Sequence, residues 1–485
     1  MKLTPFSMIP LRFAHPRGFA LLLMLSGACL GAAGAGGASG GWNDCAPILA
    51  RIRPPVFPER NFVITDFGAA AGGTDCTAAI RKAIAACHEA GGGRVVVPAG
   101  VFVTGGIRLL GKVDLHLAEG STLRFVSDPA AYLPAVFTRW EGTECMNYAA
   151  FIYALDLEDI AVTGTGTLDG SASDENWWGW ARRGAGRKSR AAQDVALLNA
   201  MSDRGVPPQE RVFGAGHYLR PNFIQAYRCR NVLIEGVSIV RSPMWEIHPV
   251  LCTNVTVRGV RIKSDGPNND GCDPESSRDV LIDHCVFATG DDCIAIKSGR
   301  NNDGRRIGRA AENLVIRNCE MRDGHAGVAV GSEVSGGCRN VFIEDCTMDS
   351  PNLDRALRLK SNAARGGVIE NIFMRRVEIG HLTEAVLTVD FLYEEGPRGP
   401  FPPVVRNIVL ENIQARASPR VFFMAGFPGA TIEGIRIANS TITGVTAPEV
   451  VSNVGGIELD HVDIIPAKSQ HSKNSRATEP PAPSN

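Results

Sequence analysis

Four short clusters along the chain combine carboxylates, a histidine and basic side chains. They are Asn268-Asn269-Asp270-Gly271, Gly290-Asp291-Asp292, Gly324-His325-Ala326-Gly327 and Arg358-Leu359-Lys360. Three carboxyl groups held together suit acid–base hydrolysis, because mutual repulsion raises the pKa of one while the others stay ionised. One carboxylic acid can then protonate a leaving oxygen while a carboxylate activates water. Asp270, Asp291 and Asp292 are therefore the candidate catalytic residues.

The histidine and the basic pair complete this chemistry. His325 titrates near neutral pH and would bias the distribution of protons among the carboxyl groups. Arg358 and Lys360 alternate around Leu359, so both face the same side of an extended strand and can bind a carboxylate. These residues predict an anionic sugar as the substrate.

A repeated phrase indicates which elements position the clusters. It begins with Asn or Asp followed by alternating apolar and polar residues, and its clearest copies start at Asn231, Asn254, Asp279, Asn313 and Asn340. The unit is near 23 to 25 residues with variable insertions, a period typical of solenoids. Alternation indicates strands, and no unit has room for a helix of about ten residues. The sequence predicts an all-β, single-stranded parallel β-helix.

The spacing of the clusters matches this repeat. From Asp270 to Asp291 is 21 positions, about one coil, and the two later clusters follow after one coil plus an insertion. Residues one coil apart lie about 4.8 Å apart, the spacing of neighbouring strands. The four clusters should therefore form one column on one wall.

The ends of the chain carry different signals. Residues 1–38 read as a signal peptide and small-residue linker, because basic Arg12 and Arg17 precede an apolar run that is too short to span a membrane. Residues 55–465 form the predicted β-helix domain, with an amphipathic helix from Thr77 to Ala90 capping its open end. Residues 466–485 are polar and predicted to be disordered. We expect export to the periplasm or the medium, with lipid anchoring through Cys29 as a minor alternative.

The charge balance and the cysteine content limit which ligands the chain is expected to bind. Lys plus Arg total 50 against 51 Asp plus Glu, which gives no basic field for nucleic acid. The 12 cysteines after the signal segment include Cys285, Cys319 and Cys346 at repeated positions inside strand patterns, so buried thiols are expected rather than a disulfide framework. No pair of cysteines suggests zinc, and neither a metal nor another cofactor is predicted. The oligomeric state is left open.

The four motifs, in this order on a β-solenoid, resemble glycoside hydrolase family 28, the polygalacturonases, from about Val63 to about Ile465. The resemblance implies a right-handed β-helix that cleaves the α-1,4-galacturonosidic bonds of pectin and oligogalacturonides with inversion. It implies Asp291 as the general acid, with Asp270 and Asp292 holding the attacking water and His325 keeping the acid in its working state.

The resemblance also implies residues that bind substrate. Arg358 and Lys360 would bind the galacturonate carboxylate, with Asn268 and Tyr393 as further contacts. Gly331-Ser332-Glu333 and Leu353-Asp354-Arg355-Ala356 look like bacterial members that release units from chain ends, so exo action is expected. Asn269 stands where Thr is frequent in the family and Ala326 where Gly is frequent, and neither change removes a functional group.

Other interpretations stay open. Rhamnogalacturonan or xylogalacturonan could be the substrate, and a calcium-dependent pectate lyase or a non-catalytic polysaccharide-binding β-helix are alternatives from other classes. Trp177, Trp178 and Trp180 lie beside a long insertion and could either stack on sugar or pack against the solenoid. Asn301-Asn302-Asp303 reads as a solvated loop.

Overall fold

The fold is taken from a computed structural model that describes residues 41–181 and 189–467. The predicted signal peptide, the residue Cys29, the Arg-rich stretch 182–188 and most of the predicted tail lie outside the described residues. No helix within those two described ranges is long and apolar enough to cross a membrane.

Each coil contributes short strands to three parallel ladders, which we call A, B and C. Ladder A comprises Asn61–Val63, Gly93–Val97, Val113–Leu117, Glu158–Gly164, Arg230–Glu235, Thr253–Arg258, Arg278–Asp283, Ala311–Arg317, Cys338–Glu344, Val368–His381, Val404–Ala417, Ile435–Val445 and Ile457–Pro466. Ladder B comprises Gly100–Thr104, Ser121–Phe125, Thr167–Asp169, Ser238–Val240, Arg261–Ser264, Val286–Thr289, Glu320–Asp323 and Thr347–Met348, and continues in the long strands of the last coils.

Ladder C forms the third wall. It comprises Ile107–Arg108, Ile152–Leu155, Ile224–Tyr227, Ile247–Val250, Ile294–Ile296, Val328–Val330, Arg355–Lys360, Ala385–Asp390, Arg420–Ala425 and Val450–Ser452. Cys272 bridges Ile247 and Ile294 where the ladder would otherwise be interrupted. Parallel pairing throughout these ladders confirms the predicted β-helix.

The repeated phrase has a clear structural reason. Its leading residues adopt left-handed backbone angles, such as φ 60° at Asn313 and 58° at Asn340, a conformation that Asn tolerates better than most residues. Their side chains bond from coil to coil: Asn340 Nδ2 donates to Asn313 Oδ1 at 3.1 Å, and Asn371 Nδ2 donates to Asn340 Oδ1 at 3.0 Å. We call this column the asparagine ladder. It satisfies amide groups at the corner where each ladder A strand begins.

The interior is apolar and continuous. Residues at the same phrase position stack in register, as Val255, Val280 and Leu314 do on successive coils. The twelve cysteines of the described residues are all buried and unpaired, which confirms the expectation of buried thiols.

Helices cover the solenoid at its start and along one side. Thr77–Glu89 buries Ile80, Ala83, Ile84 and Cys87, which confirms the predicted capping helix. Cys45–Arg51, which precedes the predicted domain start at residue 55, packs with Ile48 against Phe342 and Phe373 on the outer face of ladder A. The remaining helical segments are Trp42–Asp44, Ile64–Phe67, Pro129–Tyr132, Trp177–Ala181, Ala192–Asp203, Pro208–Glu210 and Asn301–Ile307.

The prediction of a solvated loop at Asn301-Asn302-Asp303 was wrong. These residues begin the helix Asn301–Ile307, and Asp303 is 1% exposed. Its carboxylate accepts hydrogen bonds from Arg211 Nη1 at 2.8 Å and from the backbone nitrogen of Glu144 at 2.8 Å. Asp303 therefore joins the helix to an insertion and to a hairpin, contacts that its polar neighbours in sequence did not indicate.

That hairpin is the main antiparallel element of the described chain. Val136–Trp140 pairs with Thr143–Asn147, and buried charges hold it in place. Arg139 Nη1 donates to Glu275 Oε1 at 3.1 Å, with both side chains fully buried. The hairpin is thereby fastened over the outer face of ladder C.

Candidate active site

The predicted column lies at the turns between ladders B and C. Asp270 and Asp291 each follow a ladder B strand, and backbone hydrogen bonds link successive turns: the Gly271 nitrogen donates to the Asp292 oxygen at 3.1 Å, and the His325 nitrogen donates to the Asp291 oxygen at 3.1 Å. One carboxylate oxygen from each of Asp270, Asp291 and Asp292 lies within 4.8 Å of the others. The structure therefore brings the three predicted carboxylates together.

Gly290 allows this close stacking. A Cβ atom there would lie 2.3 Å from the backbone oxygen of Gly266 on the preceding coil. The turn can approach its neighbour only with glycine at this position, and it thereby sets the spacing between Asp270 and the Asp291-Asp292 pair.

Each predicted partner lies beside a carboxylate. His325 Nδ1 is 3.0 Å from Asp291 Oδ1, and the imidazole is half exposed while Asp292 is completely buried. Lys360 Nζ donates to Asp292 Oδ2 at 2.7 Å, and Arg358 Nη1 lies 3.7 Å from Asp292 Oδ1. The basic pair thus reaches Asp292 across the intervening strand Val328–Val330, and in this structure it neutralises that carboxylate.

The environments of the carboxyl groups push their pKa values apart. Burial and the charge of Asp291 raise the pKa of Asp270 to about 8, against the opposing effect of Lys297. Burial also disfavours ionisation of Asp291, but the His325 hydrogen bond and the charge of Lys360 outweigh it and hold the pKa of Asp291 well below its ordinary value. In the unliganded site a proton therefore resides on Asp270 rather than on Asp291.

The pKa of His325 is shifted upwards, opposite to the pKa of Asp291. Its hydrogen bond to Asp291 raises the pKa of the imidazole, although burial opposes this. A protonated His325 and an ionised Asp291 therefore stabilise each other near neutral pH. The pair stores a proton one hydrogen bond away from the predicted acid.

A buried lysine was missed by the sequence analysis. Lys297 Nζ lies 3.5 Å from Asp270 Oδ2, 3.5 Å from Asp273 Oδ1 and 3.4 Å from Glu333 Oε2, and its side chain is 4% exposed. The alternation in Ile294-Ala295-Ile296-Lys297 places this lysine opposite the core-facing isoleucines. That signal could have marked it as a residue of the same wall.

The two asparagines of the first cluster have different partners. Asn268 Oδ1 accepts a 2.6 Å hydrogen bond from Arg220 Nη2. Asn269 is fully buried; its Oδ1 accepts from Ser264 Oγ at 2.7 Å and its Nδ2 donates to the Met244 oxygen at 3.0 Å. Asn269 therefore fixes the turn that presents Asp270, and Arg220, which comes from the end of an insertion, is a further site residue that sequence reasoning did not find.

Tyr393, a predicted substrate contact, lies beside the basic pair. The centre of its ring is 5.6 Å from the guanidinium carbon of Arg358 and 5.6 Å from Lys360 Nζ. The ring thus flanks both cations, as cation–π contacts do. A carboxylate bound by the basic pair would contact the tyrosine as well.

The tryptophans of the insertion mainly pack. Trp177 is completely buried and Trp180 nearly so, with their ring centres 4.7 Å apart in an edge-on arrangement. Trp178 is half-buried, and its Nε1 donates to the Ser242 oxygen at 2.8 Å, next to the turn that carries Asp270. Packing therefore accounts for Trp177 and Trp180.

The chain is similar to known proteins over most of its length. The family model described as "Glycosyl hydrolases family 28" matches residues 215–460. The chain is 28% identical to a "Probable polygalacturonase" of Vitis vinifera over 78% of this chain and 73% of that protein. It is 28% identical to an "Exo-poly-alpha-D-galacturonosidase" of Dickeya chrysanthemi over 68% of this chain, and this match spans 57% of the length of the Dickeya protein.

A solved structure agrees over nearly the whole fold. The hyperthermoactive exopolygalacturonase from Thermotoga maritima superposes with a TM-score of 0.84 at 43% identity, covering 87% of this chain and 95% of that one. The ladders therefore form a right-handed parallel β-helix. Family match, fold and the column of motifs agree: this chain belongs to glycosyl hydrolases family 28 and is a glycosidase.

Proposed function

We propose that this protein hydrolyses the α-1,4-galacturonosidic bonds of pectin and polygalacturonate, releasing units from chain ends. The observation that carries the proposal is the column itself, with three carboxylates whose oxygens lie within 4.8 Å beside a histidine and an Arg–Lys pair. Acid and base are both present, and the cations suit a sugar that bears a carboxylate. Relatives described as a polygalacturonase and an exo-poly-alpha-D-galacturonosidase support this substrate.

In the proposed reaction Asp291 protonates the leaving oxygen. Because Asp291 is ionised in the unliganded site, it must receive its proton there, either from His325 through their 3.0 Å contact or from the coupled carboxyl of Asp270. A substrate carboxylate at the basic pair would compete with Asp292 for Lys360 and so redistribute the charge. Binding and proton transfer are thereby coupled.

Water, rather than a carboxylate, is the proposed nucleophile. Asp292 is completely buried and bonded to Lys360, so its oxygen is poorly placed to attack a sugar carbon. Asp270 Oδ1 and Asp292 Oδ1 are both buried without a hydrogen-bond partner, and two such acceptors suit the two hydrogens of one water molecule. Direct attack by that water inverts the anomeric carbon.

The stereochemical outcome can be measured directly. The nearest oxygens of the three carboxylates are closer than the roughly 6.5–9.5 Å separation usual in inverting glycosidases, so inversion is inferred here from the burial of Asp292 rather than from spacing. Proton NMR of the first sugar released should show the anomer opposite in configuration to the bond cleaved. Early release of the same anomer would instead require a covalent intermediate and contradict the proposed water attack.

Exo action is supported by the position of the hairpin Val136–Asn147. The hairpin lies over ladder C and reaches Arg300 and Glu333, which are close to the catalytic column. An element that folds over the coils beside the site would obstruct the middle of a polymer more than it obstructs a chain end. We also propose export from the cytoplasm, on the basis of the signal-like residues 1–38.

The test is incubation of the mature protein with unesterified polygalacturonate in the presence of a chelator. Reducing ends should appear without ultraviolet absorbance, and mono- or disaccharide should be the early product. In a parallel reaction with calcium and without chelator, an unsaturated product would establish a lyase. Mixed early oligomers would establish endo action. Absence of product on this polymer would contradict the proposed substrate and direct the same assay to rhamnogalacturonan and xylogalacturonan. Carbohydrate binding without turnover of any of these polymers would favour the binding-module alternative.

A further inference from the structure

A fourth buried carboxyl group, that of Asp273, lies beside the catalytic column. Its chain neighbour Cys272 packs in the apolar core, and successive residues of an extended chain point to opposite faces, so Asp273 points away from the core. The residue is 0% exposed, and neither of its carboxyl oxygens accepts a hydrogen bond from another group within the described residues. Burial without such a donor is costly for a carboxylate and calls for an explanation.

The neighbours of Asp273 on the adjacent coils do not pair with it. On the preceding coil His248 is already engaged, since its Nε2 lies 2.8 Å from Glu275 Oε2 and its Nδ1 contacts amide side chains. Burial lowers the pKa of His248, so the imidazole is neutral. On the following coil the neighbouring residue is Ala295, whose side chain has no polar group. The partners that remain for Asp273 belong to the catalytic column.

The cation beside Asp273 is shared. Lys297 Nζ lies 3.5 Å from Asp273 Oδ1 and 3.5 Å from Asp270 Oδ2, both beyond the roughly 3.2 Å limit of a good hydrogen bond. It also lies 3.4 Å from Glu333, whose other carboxylate oxygen is 3.8 Å from Arg300. Asp270 and Asp273 therefore have part of one positive charge between them. Two ionised carboxylates would be left uncompensated in this buried wall, so at least one of the two groups is neutral.

Asp273 is the group that keeps its proton. Burial and the charge of Asp270 raise the pKa of Asp273 well above its ordinary value, against the opposing effect of Lys297. The two aspartate side chains are in hydrogen-bonding contact, and the more distant charge of Asp292 acts in the same direction as that of Asp270. A hydrogen bond between two carboxyl groups needs a proton on one of them. Asp273 is therefore the donor in this contact, and Asp270 accepts.

We infer that Asp273 is a positioning residue that stays protonated and donates a hydrogen bond to Asp270, which allows Asp270 to ionise and hold the attacking water in a buried wall. The inference rests on the proposed hydrolysis. When Asp270 loses its proton, this hydrogen bond becomes charge-assisted, and such bonds are roughly twice as strong as neutral ones. Together with Lys297, the bond fixes the orientation of the Asp270 carboxylate. In this role Asp273 contacts neither the substrate nor the attacking water.

The test compares Asp273→Asn with Asp273→Leu on polygalacturonate. Both side chains are close in size to aspartate, but only asparagine can donate a hydrogen bond. Asp273→Asn should keep kcat within about threefold, because a neutral donor is retained. Asp273→Leu should lower kcat by about 100-fold, the usual effect of removing one donor to a developing charge, and leave KM within about twofold. The limb of the pH–rate profile that reports Asp270 should move to higher pH in Asp273→Leu and stay in place in Asp273→Asn.

Infrared difference spectroscopy measures the protonation state without turnover. The spectrum of the wild type minus that of Asp273→Asn at neutral pH should show the C=O band of a protonated carboxylic acid. A carboxylate band in its place would overturn the inference.

Asp303→Asn provides the matched control. Asp303 is another buried aspartate, paired with Arg211 at 2.8 Å outside the catalytic column. This variant should lower the Tm and keep the wild-type kcat and pH profile.

Two results on turnover would also overturn the inference. One is a loss of kcat in Asp273→Asn as large as in Asp273→Leu, because Asp273 would then have to ionise. The other is a folded Asp273→Leu protein with the kcat and pH profile of the wild type. If Asp273→Leu does not fold, the kcat of Asp273→Asn and the infrared band decide. A wild type that is inactive on polygalacturonate would overturn the proposed function, and this role with it, even where the carboxylic acid band is present.

Discussion

Two walls of the same solenoid differ in how closely their charged side chains are paired. On the outer face of ladder A, charged side chains pair across neighbouring coils at contact distance, as Arg375 and Glu344 do at 2.7 Å and Arg406 and Glu370 at 2.6 Å. At the turns between ladders B and C, Lys360 contacts Asp292 at 2.7 Å, but Asp270 lies 3.5 Å from Lys297. The first wall satisfies its charges, and the second buries charges that are incompletely satisfied.

The difference separates structure from function within one repeat. Solvent-accessible pairs such as Arg406–Glu370 contribute about 1 kcal/mol or less each, so the ladder A wall tolerates the loss of such a pair. The second wall contains buried polar atoms without partners, among them Asp270 Oδ1, Asp292 Oδ1 and Arg358 Nε. Such atoms are costly in a folded protein and call for an explanation, which a bound water and a substrate carboxylate supply. Substitutions at the turns between ladders B and C should therefore reduce kcat, whereas substitutions on the outer face of ladder A should affect stability and leave kcat nearly unchanged.

Apart from Asp291→Asn, the substitution Asp292→Asn should have the largest effect on turnover. It removes the carboxylate that Lys360 contacts at 2.7 Å and that is proposed to hold the attacking water. We expect kcat to fall by about 10³-fold, within the range for loss of a general acid–base group. The matched change Glu312→Gln on ladder A, which removes an exposed pair with Arg339, should leave kcat within about twofold. Equal losses in both variants would remove the functional distinction between the walls.

Lys297→Met should come next and affect both folding and activity. The change leaves Asp270, Asp273 and Glu333 without their shared cation, and loss of one partner from a buried charge cluster costs about 3–5 kcal/mol. The pKa of Asp270 should rise further, so any limb of the pH–rate profile that reports Asp270 should move to higher pH. Thermal unfolding and kcat/KM against pH measure the two effects, and Lys297→Arg should restore most of both. An unchanged pH profile in a folded Lys297→Met protein would contradict the role assigned to this lysine.

His325→Gln should have a moderate effect that depends on pH. The raised pKa of His325 means that the imidazole stays protonated above its usual range, and its proton is lost as pH rises through that value. Wild-type kcat should therefore decline on the alkaline side, with Asp270, whose pKa is about 8, contributing to the same limb. Glutamine can still donate a hydrogen bond to Asp291 but cannot supply a proton, so we expect about a tenfold loss at the optimum and a changed alkaline limb. A variant whose profile is identical to the wild type would exclude His325 as a proton source.

Asn313→Ala should have the smallest effect on catalysis. Asn313 belongs to the asparagine ladder, with φ 60° and hydrogen bonds to Asp279 and Asn340. Alanine loses these bonds and tolerates the left-handed conformation poorly, at a combined cost of about 2–3 kcal/mol. Denaturant unfolding should show this loss while kcat of the folded enzyme stays unchanged. A marked drop in kcat would contradict this separation and show that the asparagine ladder affects the geometry of the catalytic column.

The sequence predicted those features that depend on local periodicity. Alternation within each phrase set the strands, and spacing of about one coil brought Asp270 and Asp291 together, because neighbouring coils repeat the same path. Tyr393 was placed by resemblance alone. The capping helix followed from its apolar face, since Ile80 and Ile84 recur at helical spacing.

Residues that reach the site from insertions were not predictable in this way. Arg220, which contacts Asn268, lies outside the regular coils and reaches the site by folding back over them, so no period marks its position. Asp303 was misassigned for the same reason: its partner Arg211 comes from another insertion. Lys297 is different, because the alternation of its strand did contain the signal.

The most direct test of the account compares Asp291→Asn with Asp283→Asn on polygalacturonate with chelator present. Asp291 contacts His325 in the column, whereas Asp283 pairs with Arg317 on ladder A at 3.2 Å. We predict that reducing ends cease to form with Asp291→Asn, while Asp283→Asn retains near wild-type turnover and loses only stability. Continued hydrolysis by a folded Asp291→Asn protein would contradict the assignment of the acid and, with it, the function proposed for this wall.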